Sequence, residues 1–140
     1  MTIDVSDYPM ATIRIASDTL DPELVTAVIG YEPQCAARKG DLLYPTSTST
    51  RAVARTGTWF ATTEGLKVKS PTDHLDRLVE LALPHVKMLR ETMPDITFDL
   101  SLLVFDPDFS ANSLPDDLIR KAQRLGTLEI DSSSSEQVVL

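Results

Sequence analysis

Apolar and polar positions alternate along residues 10–16, with Ala11, Ile13 and Ile15 on one face and Thr12 and Arg14 on the other. A period of two predicts a half-buried strand. Asp21-Pro22-Glu23 then combines a capping oxygen, a proline where no N–H is missed and an acid near the positive helix end, which predicts a helix start. Leu20 is placed to staple onto Val25, Leu24, Ala27 and Val28 form the inner stripe, and Gly30 ends the helix.

Residues 33–56 carry no clear period. Leu42-Leu43-Tyr44-Pro45 and the Thr/Ser run after it predict an exposed loop over 42–56. Gly57–Thr63 is rich in β-branched and aromatic residues, with Trp59 and Ala61 on one face and Thr58, Phe60 and Thr62 on the other, so it predicts a strand. Ser70-Pro71-Thr72-Asp73 opens a second helix, and Leu75, Leu78, Val79, Ala82, Val86, Leu89 and Met93 follow at helical spacing. Pro84 interrupts that run and predicts a kink, or two helices meeting at 83–85.

Ile96, Phe98, Leu100, Leu102 and Val104 alternate with Thr97, Asp99, Ser101, Leu103 and Phe105. This is the clearest strand, and the apolar residues on both faces at its end place it centrally. A loop over 106–112 precedes Ser113-Leu-Pro-Asp-Asp117, which predicts the start of the last helix, with Leu114, Leu118, Ala122 and Leu125 inward. Thr127–Asp131 is a short final strand, and the serines from Ser132 onward begin a flexible tail.

The order β-α-β-α-β-α-β predicts one α+β domain over residues 1–131 and a flexible tail over 132–140. The expected architecture is a four-stranded, mainly antiparallel sheet with helices on one face, related to the ferredoxin-like arrangement. A doubly wound parallel sheet is the runner-up, disfavoured because a single strand looks buried on both sides. The polar face would carry Arg14, Thr97, Asp99, Ser101, Glu129 and Asp131.

Ile13-Arg14-Ile15, Leu20-Asp21-Pro22 before a helix ending at Gly30, and Glu32-Pro33 resemble the bacterial domain-of-unknown-function family 4279. Lys39-Gly40-Asp41, Thr56-Gly57-Thr58-Trp59, the leucine-rich helix broken by Pro84, and Leu125-Gly126 before Leu128-Glu129-Ile130-Asp131 continue the likeness in order. Members usually place an aromatic residue after the final aspartate, where this chain has Ser132. The resemblance implies a small standalone α+β protein and brings no activity, cofactor or catalytic residue with it.

Composition narrows the function classes. The net charge of −8 argues against nucleic-acid binding, which needs a basic face. Residues 38–69 nevertheless carry a local +4, leaving −12 on the remainder. One cysteine, Cys35, excludes an internal disulfide framework and fits a reducing compartment. No apolar run approaches the roughly 18 residues of a membrane span, and the acidic N-terminus lacks a signal-peptide pattern. A soluble cytoplasmic protein is expected.

The chain carries no glycine-rich phosphate loop, no nucleophile–base pair, no metal-ligand spacing and no cofactor motif. His74 and His85 lack the spacing of a helical metal pair and read as surface histidines, and Cys35 reads as a partly buried structural residue. Asp99, Glu129 and Asp131 are candidates for an acid–base group on adjacent strands, yet a cross-strand pair of Asp99 with Arg14 is simpler. No catalytic residue, metal or cofactor is therefore assigned. Lys39, Arg51, Arg55 and Trp59 form a candidate anion-binding group, weighed against Trp59 as core and Lys39 or Arg55 paired with Asp41. The expected function is a non-catalytic binding or protein-interaction module. The alternative is an anion- or nucleotide-ligand protein, or an enzyme acting on such a ligand, using the basic 38–69 region. A basic protein partner would meet Asp99, Asp106, Asp108, Asp116, Asp117, Glu129 and Asp131 by complementary charge. Neither nucleic acid nor membrane is an expected partner, and oligomeric state is not legible.

Overall fold

A computed structural model describes residues 8–41 and 53–132. The strands are β1 (Met10–Ser17), β2 (Cys35–Ala37), β3 (Gly57–Thr62), β4 (Thr97–Val104) and β5 (Thr127–Ser132). The helices are α1 (Pro22–Ile29), α2 (Pro71–Ala82), α3 (Val86–Thr92) and α4 (Asp116–Leu125). The sheet order is β2-β3-β1-β4-β5. The β2/β3, β3/β1 and β1/β4 pairs are antiparallel, whereas β4 and β5 run parallel. The α4 crossover between β4 and β5 makes that parallel pairing reachable.

All the helices cover one face. Ile13 and Ile15 of β1, Trp59 and Ala61 of β3, and Phe98, Leu100 and Leu102 of β4 share a single core with Val25, Leu78, Val79, Leu118 and Leu125. The period of two sends Thr12, Arg14, Phe60, Asp99, Ser101, Glu129 and Asp131 to the opposite face, across which no described helix packs.

Local signals fix the joints. The Asp21 side chain accepts from the Leu24 amide, and Gly30 closes α1 at φ 72°, in the left-handed region that glycine adopts without a Cβ clash. Ser70 caps α2 by accepting from the Asp73 amide. At Pro84 the run tightens into a 3-10 turn over Leu83–His85 and resumes as α3, because proline removes an amide and collides with the preceding turn. Arg90 of α3 donates to the Leu125 and Arg124 carbonyls at 2.7 and 3.2 Å. Its guanidinium also lies 5.7 Å from the Phe98 ring centre, so one cation closes the negative end of α4 and covers an aromatic face. Directly after α4, Gly126 lies so close to β4 that a Cβ would stand 1.9 Å from the Phe98 carbonyl oxygen.

Several expectations are corrected. The sheet has five strands and is mixed, where four mainly antiparallel strands were expected, and its order does not confirm the ferredoxin-like arrangement. The extra strand, β2, has three mostly exposed residues and no alternation to betray it. The last helix begins at Asp116 rather than Ser113, which instead ends a 3-10 turn, its hydroxyl accepting from the Ser110 amide at 3.2 Å. His74 is fully buried, not a surface residue, and Cys35 is exposed, not partly buried. Ser132 closes β5, one residue into the expected tail. Residues 42–52 of the expected loop and 133–140 of the expected tail lie outside the described residues.

The buried histidine is a latch. Thr63 donates from its hydroxyl to His74 Nδ1 at 2.6 Å, and His74 Nε2–H donates to the Val68 carbonyl at 2.7 Å. The Thr63 hydroxyl in turn accepts from the Ala11 amide at 2.9 Å, while the Thr63 amide donates to the Ala11 carbonyl at 3.0 Å. Both ring nitrogens and the hydroxyl are thereby satisfied away from water, as burial of polar groups requires. The 63–68 segment is pinned at its two ends to α2 and β1.

Candidate functional site

The helix-free face of the sheet is built row by row. Cys35, Phe60, Arg14, Asp99 and Thr127 stand side by side across all five strands, in the register of the four pairings. Arg14 reaches the Asp99 carboxylate at 3.5 Å, and the Thr127 hydroxyl donates to it at 2.7 Å. Asp99 is thus held by a cross-strand ion pair and a neighbouring hydroxyl, the simpler of its two sequence readings. In the next row the Thr12 and Ser101 hydroxyls hydrogen-bond each other, and Glu129 stands exposed beside Ser101.

One end of this face is acidic. Because β4 and β5 are parallel, their C-terminal ends lie together, with Asp106 following β4 and Asp131 near the end of β5. The α4 helix must start at that end in order to return to β5, which brings Asp116 and Asp117 there as well. Asp106, Asp108, Asp116, Asp117, Glu129 and Asp131 are all exposed. Asp106 accepts from the Asp108 amide at 3.0 Å, fixing that turn, and Asp117 pairs with Lys121 at 3.3 Å. Asp99 is set back from this end: four residues of β4 separate it from Leu103, which pairs with Asp131, roughly 13 Å at strand rise.

Two of the six cations in the basic middle, Arg38 and Lys39, are matched by nearby acids. Arg38 donates to Asp21 at 3.1 Å and also to Glu23, and Lys39 pairs with Asp18 at 3.6 Å. Asp41 accepts from the Arg38 amide at 2.8 Å and pairs with neither Lys39 nor Arg55. Trp59 is 1% exposed, and its indole N–H donates to the Thr26 hydroxyl at 3.0 Å, so its ring cannot stack an external ligand. Arg55 is exposed and Arg51 lies outside the described residues. Of the described members, buried Trp59 therefore shares no ligand surface with exposed Lys39 and Arg55.

Two carboxyls near this region sit below their usual range. Asp95 is lowered first by the Ser17 hydroxyl, at 2.6 Å, and then by the Asp18 amide, at 2.8 Å. Asp21 is lowered first by its hydrogen bond with Glu23, then by the Leu24 amide and Arg38. Both clamp the start of α1 to the rest of the fold and are structural in their contacts. Among the described residues, no three His, Cys, Asp or Glu side chains group as metal ligands, and no helix is long and apolar enough to cross a membrane.

A family model described as a domain of unknown function (DUF4279) matches residues 6–133, nearly the whole chain. No curated protein and no solved structure matches.

Proposed function

We propose that this chain, which belongs to the DUF4279 family, works as a non-catalytic protein-interaction module in the bacterial cytoplasm. Its contact surface is the helix-free sheet face and the acidic end that adjoins it, and its partner is a basic protein. The carrying observation is the gathering of Asp106, Asp108, Asp116, Asp117 and Asp131 at one end of β4 and β5, exposed and beside a sheet face that no described helix covers. Such a field attracts a cationic surface over about one Debye length, roughly 8 Å at physiological salt. Complementary charge then acts mainly on association rate and partner choice.

The alternative, an anion or nucleotide ligand on the basic 38–69 region, is less well supported. Arg38 and Lys39 already face Asp21, Glu23 and Asp18, and the tryptophan that would stack a base is core. To test the interaction, a photo-crosslinking residue is placed at Thr127 on the open face or at Glu91 on the helix layer, in cells. A basic protein captured from Thr127 and not from Glu91 is expected. Equal capture from both positions, or an acidic partner, would refute the assignment.

A further inference from the structure

We propose that a cleft at the opposite side of the Thr12–Ser101 row from Arg14 is a binding site for a small ligand with an apolar, ring-sized body and one carboxylate. The cleft encloses about 260 Å³, just below the range of roughly 300–1,000 Å³ typical of drug-sized ligands. Its walls come from three separate segments. Tyr8 and Met10 lead into β1, Leu103 and Phe105 end β4, and Leu66 and Lys67 belong to the segment after β3. All four apolar and aromatic side chains of the strand ends are half-buried.

Asp131, the register partner of Leu103, stands on the β5 side of the cleft, whereas Glu64 and Lys67 follow β3, three strand spacings away, roughly 14 Å, and these two rim charges differ in what they can offer. Glu64 already accepts from the Gln34 side-chain amide at 2.8 Å. Lys67 is exposed and enters no ion pair with a described residue. An apolar hollow with one ammonium at its mouth that pairs with no described residue matches an amphipathic monoanion, the ring inside and the carboxylate on the lysine.

The wall carrying Lys67 is also preformed. The turn passes through Gly65 at φ 92°, a left-handed position, and the His74 latch holds Thr63 on one side of it and Val68 on the other. A buried, fully hydrogen-bonded histidine is an expensive way to stabilise a plain surface loop, since an apolar residue would fill the same core position without polar groups to satisfy. It fits a wall that must keep its shape, because a preorganised site loses less entropy on binding.

Phenylacetate, titrated into the isotope-labelled full chain and followed by amide-resolved NMR, is the probe. The expected result is saturable shifts confined to residues around Tyr8, Lys67, Leu103 and Phe105. Phenethyl alcohol should bind at the same amides roughly two- to fivefold more weakly, the range expected for one exposed charge pair. Lys67→Met should bring phenylacetate down to the alcohol's affinity and leave the alcohol unchanged. Leu103→Trp should abolish both by filling the cleft, with native Trp59 emission showing that Lys67→Met, the less intrusive variant, is folded. Shifts elsewhere on the surface, no saturable binding, equal affinity for acid and alcohol, or indifference to Lys67→Met would each overturn the proposal.

Discussion

Thr63→Val isolates the latch, because valine keeps the branched shape and removes only the hydroxyl. Two groups then lose a partner inside the protein: the Ala11 amide, which donates to Thr63 Oγ1 at 2.9 Å, and His74 Nδ1, which accepts from it at 2.6 Å. Thr63 is 1% and His74 0% exposed, so water does not replace the lost bonds. Each unsatisfied buried group costs about 1–3 kcal/mol, which sums to roughly 2–6 kcal/mol for the pair. For a domain of this size that lowers Tm by on the order of 10–20 °C. Thr63→Ser retains the hydroxyl and should lose only about 1 kcal/mol for the missing methyl group. Urea unfolding followed by fluorescence is direct, since Trp59 is the sole tryptophan and is buried. A valine variant within about 0.5 kcal/mol of the parent, the usual range for inconsequential substitutions, would refute the latch. So would a serine variant as damaged as the valine one.

Three further outcomes follow from contacts elsewhere. Arg90→Met keeps the aliphatic stem but removes the bonds to the Leu125 and Arg124 carbonyls and the cation over Phe98; a loss of about 1–2 kcal/mol is expected in urea unfolding. Gly126→Ala forces a methyl group toward the Phe98 carbonyl, 1.9 Å from where it would sit; a loss of about 1–3 kcal/mol or more is expected, read as a lowered urea midpoint. Asp95 is held below its ordinary value of 3.8 by the Ser17 hydroxyl and the Asp18 amide. The unfolded chain therefore binds that proton first on acidification, and the stabilisation is present above about pH 5 and lost as pH falls through the lowered folded value. Asp95→Asn should be less stable than the parent at neutral pH, with the gap closing at the acid end; a gap independent of pH would contradict this.

Local rules were enough for much of the fold. The Asp21 and Ser70 caps, the Gly30 terminus, the break at Pro84 and the strand at 97–104 all rest on interactions within a few residues, so they are legible in one dimension. Trp59 and Ala61 share a face of a strand, and both are core, as alternation requires. What escaped depends on contacts distant along the chain. The β2 strand exists because Cys35–Ala37 finds an edge on β3, and three mostly exposed residues carry no periodic signal. The parallel pairing of β5 depends on which side of β4 the α4 crossover returns to. His74 did leave a signal: it stands four residues before Leu78 and eight before Ala82, on the buried stripe of α2. Residue type, weighed above position, assigned it to the surface.

The charged candidates divide for the same reason. The Arg14–Asp99 pair is a cross-strand neighbour relation and follows once two strands are paired. Lys39 with Asp18, and Arg38 with Asp21 and Glu23, join segments apart in sequence, so the basic middle read as a free patch until the α1 start was placed beside it. The acidic end is assembled by the parallel β4/β5 pair from three separate segments, and no local motif marks it.

Association kinetics with the basic protein crosslinked at Thr127 test the interaction surface most directly. The rate constant is measured for the parent and for Asp106→Asn, Asp108→Asn, Asp116→Asn and Asp117→Asn combined, across ionic strengths from about 0.01 to 1 M, over which the screening length contracts from roughly 30 to 3 Å. The parent's association rate should fall steeply with salt, while the combined variant starts slower, responds less, and unfolds at an unchanged urea midpoint. A parent rate indifferent to salt, or a combined variant that associates as fast as the parent at low salt, would contradict an acidic docking surface at this end of the sheet.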